Sequence, residues 1–315
     1  MQSLRISRTI QSTYFTLIVL LFSLQACSSN DIETKAISLN KKDVQVKTLA
    51  SSAETINIGI SGVTTPAEGY AYYNDLLNYL QNKINRPIKY AHESGYSKVN
   101  ALLQNRNLDA AFVCSGPYVE GHDKFGLELL VVPHAFGSTS YHSYLIVPID
   151  STARTLTDLQ GKSFAFTDPK SNTGKLVITY VLARNGTTPE KYFSTLIYTA
   201  AHDASIKAVS QGIVDGASVD SLIWEYLSKK NDKYASKTKV IWKSPPYANP
   251  PFVVRKDLDP AIKSSLKEIL LHAHEDPEGK MILDKMMVDK FVEINDSAYA
   301  SVRQMKLFVA QQDKK

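Results

Sequence analysis

The sequence predicts an α/β protein of two modest lobes, each built around its own sheet. Three observations carry this expectation. Residues 55–91 run in the order strand, helix, strand. A helix, a turn, a strand and a serine recur at matching spacing when Asp109 is aligned with Asp215, so the two halves share a plan. From about residue 53 onward the chain is long enough for two such lobes.

Thr55 to Ile60 alternates as a strand does, and Ser61 to Pro66 is a polar turn ahead of a helix expected over Tyr70 to Lys83. A strand at Ile88 to Ala91 completes the unit. The polar turn stands at the carboxyl end of the first strand, where open α/β sheets place ligands. Ser97 to Gln104 predicts a short helix, and Asp109 to Val113 a buried strand ending at Ser115-Gly116-Pro117. Tyr141 to Val147 alternates as a strand able to carry the chain between lobes.

Lys162 to Thr167 is the next strand, and it runs straight into Asp168-Pro169-Lys170-Ser171-Asn172-Thr173-Gly174. The apolar run Leu176 to Leu182 then predicts a helix stopped at Arg184-Asn185-Gly186, with a cation near its negative end. Leu196 to Thr199 predicts a strand, Ser205 to Val209 a helix, and Val214 to Val219 a strand leading into Asp220-Ser221. After the strand Val240 to Trp242, the stiff connection 245–251 precedes Phe252 to Arg255, which returns the chain to the first lobe. Helices are expected over Pro260 to Glu275, Glu278 to Val288 and Tyr299 to Phe308. The first lobe is thus expected to comprise 53–144 and 248–315, and the second 145–247.

Ahead of this body, Arg5 and Arg8 precede an apolar segment from Tyr14 to Leu24 and the small residue Ala26, so residues 1–26 have the pattern of a secretory signal. The segment is shorter than the roughly 20 residues a spanning helix needs. Leu24-Gln25-Ala26-Cys27 looks like the lipobox of bacterial lipoproteins, which would make Cys27 the lipidated first residue of a membrane-anchored protein in the periplasm or on the cell surface. Residues 27–52 are then a flexible tether. With Cys27 consumed, Cys114 is the remaining thiol and no intramolecular disulfide can form. Loss of Arg5 and Arg8 lowers the formal charge from +5 to +3, and no basic cluster with interleaved aromatics suggests nucleic acid.

Ser171, Asn172 and Thr173 fall where the first turn of a helix exposes unpaired amides and the positive end of its dipole. An oxyanion can be held there without a lysine, although capping by Ser171 or Thr173 would use the same residue types. Gly174-Lys175 evokes a phosphate loop, but Leu176 stands where Ser or Thr is needed, so nucleotide binding is rejected. Asp203 reads as a helix cap and His202 as a loop residue or an anion donor, whose own pKa an anion would raise. Asp220, at a strand end, reads as a cap or a cleft residue. A triad of Ser171, His202 and Asp220 lacks any nucleophile elbow. The histidines are scattered, and His272 and His274 would point to opposite sides of a helix, so no metal site is expected.

The stretch Asp168 to Leu176 resembles the D-P-x-S-x-S-G-x-L loop of the substrate-binding proteins of phosphate, phosphite and phosphonate ABC transporters, with Thr173 in place of the second serine. Gly95-Tyr96-Ser97, Tyr141-His142-Ser143, the His202 segment and Ile241-Trp242-Lys243-Ser244-Pro245 support the likeness, which spans the body from Ile56 to the C-terminal helices. The resemblance implies a type II periplasmic binding protein fold, with a central mixed sheet in each lobe. It also implies a small phosphorus oxyanion held by Tyr96, Tyr141, Ser171, Asn172, Thr173 and His202, with Asp220 as a further candidate. Hinge closure, a monomeric receptor without a cofactor, and delivery to an ABC permease in the inner membrane follow from it. Relatives that take aminoalkylphosphonates place acids in the cleft, one just after the I-W-K-S-P segment. Here Tyr247 to Pro251 has none, which favours a ligand without an ammonium group. A lipoprotein that senses the same ligand and signals to a membrane partner, and a Ser171-based hydrolase, are the competing expectations.

Overall fold

Two mixed sheets with the same internal order organise the structure, a computed structural model that describes residues 55–312 apart from Ser94. The expected signal peptide, Cys27 and the tether lie outside the described residues.

The chain runs through β1 (Ile56–Ser61), α1 (Pro66–Ile84), β2 (Ile88–Glu93), α2 (Tyr96–Gln104), β3 (Ala110–Phe112), α3 (Ser115–Phe125), β4 (Glu128–Ala135) and β5 (Ser140–Tyr141). It continues through β6 (Ser143–Pro148), β7 (Ser163–Phe166), α4 (Val177–Arg184), α5 (Pro189–Tyr192), β8 (Thr195–Tyr198), α6 (His202–Ser210), β9 (Gly216–Asp220), α7 (Ser221–Lys229) and β10 (Thr238–Lys243). Last come β11 (Tyr247–Ala248), β12 (Phe252–Val254), α8 (Pro260–His272), α9 (Pro277–Met286), β13 (Val288–Val292) and α10 (Ala300–Gln312).

The first sheet has the order β13-β4-β12-β3-β1-β2 and the second β10-β6-β9-β7-β8. In each, a central strand pairs in parallel with two neighbours, β2 and β3 around β1, β8 and β9 around β7. Beside the third strand lies an antiparallel one contributed across the lobe boundary, β12 in the first sheet and β6 in the second. The short ladder of β5 with β11 ties the two crossings together.

The recurrence centred on Asp109 and Asp215 has a physical cause. Each aspartate receives the amide of a residue at the start of its sheet's central strand: Asp109 Oδ2 that of Asn57 at 2.8 Å, Asp215 Oδ2 that of Ser163 at 2.9 Å. Tyr96 and His202 each open the helix that follows the second parallel strand, and Ser115 and Ser221 each open the helix after the third. The repeat therefore aims matching helix N-termini from the two lobes at one another.

Ile56, Ile58 and Ile60 of β1 are buried with Leu76 and Leu80 of α1 and Leu266 and Leu270 of α8. In the second lobe, Ile206 and Val209 of α6 pack on one face of the sheet, while Ile178 and Leu182 of α4 pack on the other. Helices on both faces explain strands that are more continuously apolar than simple alternation requires.

Several elements differ from expectation. Helix α1 starts at Pro66 rather than Tyr70, because proline suits the first turn, where its missing amide is no loss. Ser115-Gly116-Pro117 ends no strand but opens α3, and again the proline falls within the first turn. The helix expected to reach Val288 stops at Met286, since Met287 takes a left-handed conformation at φ 57°. Val288–Val292 is instead a strand against β4. The strand expected over 141–147 is broken at His142, whose amide donates to Ser221 Oγ at 2.9 Å and whose Nδ1 lies 2.7 Å from the Ser244 carbonyl.

Candidate functional site

The loop after β7 is held in shape largely by its own polar groups. Asp168 Oδ1 accepts the Lys170 amide at 2.7 Å, and the Asp168 carbonyl accepts that of Ser171 at 3.0 Å. Ser171 Oγ accepts the Gly174 amide at 2.9 Å. The Leu176 amide reaches back to the Ser171 carbonyl at 3.0 Å, so 172–176 forms one wide π-type turn leading into α4, a local geometry common at functional sites. Gly174 is required there, because a Cβ would lie 2.3 Å from Thr167 Oγ1 and 2.8 Å from Ser171 Oγ. The Thr173 carbonyl accepts the hydroxyls of Ser143 on β6 and Ser218 on β9, which fastens the turn to the sheet.

Ser171, Asn172 and Thr173 are fully buried. Within this turn Thr173 Oγ1 and Asn172 Oδ1 have no hydrogen-bond partner. A buried polar atom left unpaired costs about 1–3 kcal/mol, so two in one turn point to a group that would satisfy them. Ser171, by contrast, spends its hydroxyl oxygen as a cap on Gly174.

Tyr96 and His202 enter from the facing helix N-termini. The Tyr96 amide donates to Asp168 Oδ2 at 3.1 Å, and the His202 amide donates to the Val63 carbonyl at 3.0 Å, so each helix start is tied to the loop of the opposite lobe. The Tyr96 hydroxyl lies 3.4 Å from His202 Nε2. Thr65 of the first lobe donates its amide and its hydroxyl to the Asp203 carboxylate at 2.9 and 2.6 Å. Lys170 pairs with Glu120 on α3 at 2.9 Å.

His202 is held here as a neutral ring. Its Nδ1 accepts the Asp220 amide at 3.0 Å, and an amide can only donate. The ring is therefore neutral, with its proton on Nε2. Complete burial pushes its pKa down to about 3. The group is a neutral donor across the physiological range.

Asp220 is 1% exposed, and burial raises its carboxyl to about 7. Its Oδ1 accepts the Leu222 amide at 2.7 Å, so it does cap α7. Ser171, His202 and Asp220 form no catalytic relay, since His202 Nδ1 bonds the aspartate's amide and the carboxylate serves the helix.

Tyr141 is buried, with its hydroxyl 2.9 Å from Ser115 Oγ and 3.3 Å from Asn172 Nδ2. Ser115 Oγ donates to the Ala248 carbonyl at 3.0 Å, which leaves Tyr141 to donate to Ser115 and accept from Asn172. A ligand reaching Tyr141 has to draw its proton away from Ser115.

Four further hydroxyl residues stand outside the expected ligand set. Thr167 Oγ1 lies 3.1 Å from His202 Nδ1, and Ser143 and Ser218 orient the turn. Ser61, the counterpart of Thr167 in the repeat, has a buried hydroxyl without a partner. The spacing of the repeat pairs it with Thr167, and it opens the polar turn already expected at the end of the first strand. Among the described residues, no cluster of three His, Cys, Asp or Glu side chains is placed to hold a metal ion.

A family model described as "ABC transporter, phosphonate, periplasmic substrate-binding protein" matches residues 58–299. The phosphonates-binding periplasmic protein of Escherichia coli (strain K12) is 26% identical over 261 residues, covering 81% of this chain and 77% of its own. The phosphate-import protein PhnD of Mycolicibacterium smegmatis is 26% identical over 236 residues, 71% of this chain and 73% of its own. A solved binding component of a phosphonate ABC transporter from Pseudomonas aeruginosa matches with a TM-score of 0.77 at 25% identity, covering 83% of this chain and 88% of that one.

Proposed function

This chain belongs to the family of periplasmic substrate-binding proteins of phosphonate ABC transporters, and we propose that it holds a small phosphorus oxyanion between its two sheets and presents it to a membrane permease. The ligand is a phosphonate, phosphite or phosphate. The protein is retained at the membrane through a lipid on Cys27. The family is one of binding proteins, not enzymes.

The observation that supports this most is the buried, unpartnered Thr173 Oγ1 within a turn that also presents a helix N-terminus. Thr173 donates to one ligand oxygen. Asn172 Oδ1, an unpaired acceptor, takes the proton of a P–OH group. His202 Nε2–H and the Tyr96 hydroxyl reach the ligand from the facing helices. None of these donors is cationic. Charge is met by fixed dipoles in a dry site, where neutral donors act more strongly than they would in water.

Titration calorimetry of the body from residue 53 against phosphite, methylphosphonate and phosphate tests this reading. At least one should bind with one-to-one stoichiometry. Thr173→Val keeps the shape and removes the hydroxyl, and should weaken that binding by about 10- to 100-fold, the worth of a hydrogen bond to a charged group. Absence of binding by all three would refute the ligand class.

A further inference from the structure

Asp203 lies in the first turn of α6, yet its carboxylate serves α1 of the opposite lobe. No side chain caps α6, whose N-cap position is Ala201. Asp203 instead accepts the amide of Thr65 on Oδ1 at 2.9 Å and the Thr65 hydroxyl on Oδ2 at 2.6 Å. Thr65 is the N-cap residue of α1, and its own side chain caps nothing in that helix. The carboxylate thus stands at the positive end of α1, where an anion is favoured.

The local sequence offers Thr65 a different partner. Thr65-Pro66-Ala67-Glu68 has the spacing of a capping box, in which the glutamate side chain takes the amide of the cap residue. Asp203 holds that amide in the structure. The Glu68 carboxyl remains nearby, since its pKa is raised by partial burial and next by the charge of Asp203. Thr65 also stands to Asp109 as Ser171 stands to Asp215. Ser171 caps Gly174 within its own turn, whereas its counterpart in the first lobe is given over to a carboxylate from the second. The neighbour of Asp203 is His202, whose amide crosses to the Val63 carbonyl. Two adjacent residues of α6 are therefore fastened to one turn of the first lobe.

We propose that Asp203 is a positioning residue: by capping α1 from the opposite lobe in place of Glu68, it holds the lobes closed and sets His202 beside the turn 171–174. Its partners are all protein groups, so the assignment goes beyond the oxyanion reading and does not depend on the ligand's identity. When the lobes part, Asp203 withdraws and Glu68 folds back onto the Thr65 amide. Closure exchanges a local cap for a crossing one.

Calorimetry with phosphite, methylphosphonate and phosphate, and small-angle scattering with and without them, test this on the same protein. Asp203→Asn keeps the shape and one acceptor but removes the charge, and should weaken binding by about tenfold or more, the worth of hydrogen bonds to a charged group. Thr65→Val should weaken it in the same direction, and the double variant should lose less than the product of the two single losses, because both changes act on one contact. A role confined to the folding of either lobe would give no such coupling. Glu68→Gln should bind at least as tightly as the parent. Asp203→Asn should be more expanded than the parent, either without ligand or at equal ligand. Parent-like affinity in Asp203→Asn, a full product of losses in the double variant, or a loss in Glu68→Gln as large as that in Asp203→Asn overturns the proposal. A parent that binds none of the three ligands overturns the oxyanion reading, and the ligand-free scattering then decides the latch by itself: greater expansion of Asp203→Asn sustains it, and equal size overturns it.

Discussion

A methyl group at position 116 is expected to weaken ligand binding by about 100-fold while leaving each lobe folded. Gly116 sits at the start of α3 in the first lobe, and a Cβ there would lie 2.3 Å from the Lys170 carbonyl and 3.3 Å from the Asn172 amide nitrogen. Both are backbone atoms of the second lobe's loop, which the Asp168 and Ser171 hydrogen bonds hold fixed. The φ of Gly116 is not positive, so alanine suits the local backbone and the clash alone decides the outcome.

The cheapest relief is to part the lobes. Parting them stretches the Tyr96–Asp168, His202–Val63 and Lys170–Glu120 contacts, all of which cross between them. A 100-fold loss corresponds to about 2.7 kcal/mol on the balance between closed and open forms. Affinity by calorimetry and radius of gyration with saturating ligand check this. Gly116→Ala should bind weakly and, at equal ligand, stay more expanded than the parent. Unchanged affinity would show that contact between α3 and the loop is not needed for binding. The unfolding midpoint should move little, because the cores under α1 and α8 and under α4 and α6 are untouched.

The turn proposed to hold the oxyanion was legible as a turn because its determinants are contiguous: a strand, a run of hydroxyl and amide side chains, a glycine and an apolar helix. The shared plan of the lobes was legible for a related reason, since Asp109 and Asp215 each secure a strand start and so recur with the unit they close. What stayed hidden depends on distant partners. Glu128–Ala135 carries a proline and an uneven pattern, and it is a strand because β12 and β13, far along the chain, lie on either side of it. His142 interrupts an alternating run because Ser221 and Ser244 claim its polar groups.

His202 is the sharpest case. Its place beside the turn could be inferred from the resemblance, but its protonation could not. The neutral state is imposed by the amide of Asp220, at the end of another strand, together with complete burial. The same aspartate carries a second consequence that no local pattern announces, because its carboxyl is raised by the burial that lowers the histidine.

Replacing Asp220 by asparagine is therefore expected to make the protein lose stability toward acid more steeply than the parent. His202 is held near 3 in the folded state against an ordinary value of 6.5. Its contribution is complete above about 6.5 and is lost as pH falls toward 3, where the unfolded chain binds a proton that the folded one refuses. Asp220 runs the other way. With a folded value of about 7 against 3.8, its contribution is complete below about 3.8 and is lost as pH rises through 7. Between about pH 4 and 6.5 each group has a slope near 1.4 kcal/mol per pH unit, of opposite sign, so the two offset one another. Asparagine keeps an oxygen for the Leu222 amide and the backbone donor to His202, but does not titrate. In Asp220→Asn the histidine slope stands uncovered. Urea unfolding at pH 4.5, 5.5 and 6.5 should show the variant's stability falling faster toward acid than the parent's, by about 1.4 kcal/mol per unit. Above pH 7 the variant should be the more stable of the two, since the parent must then bury a charge. Parallel profiles for the two proteins would mean that Asp220 holds no proton in the folded state, and would return it to the role of an ordinary ionised helix cap.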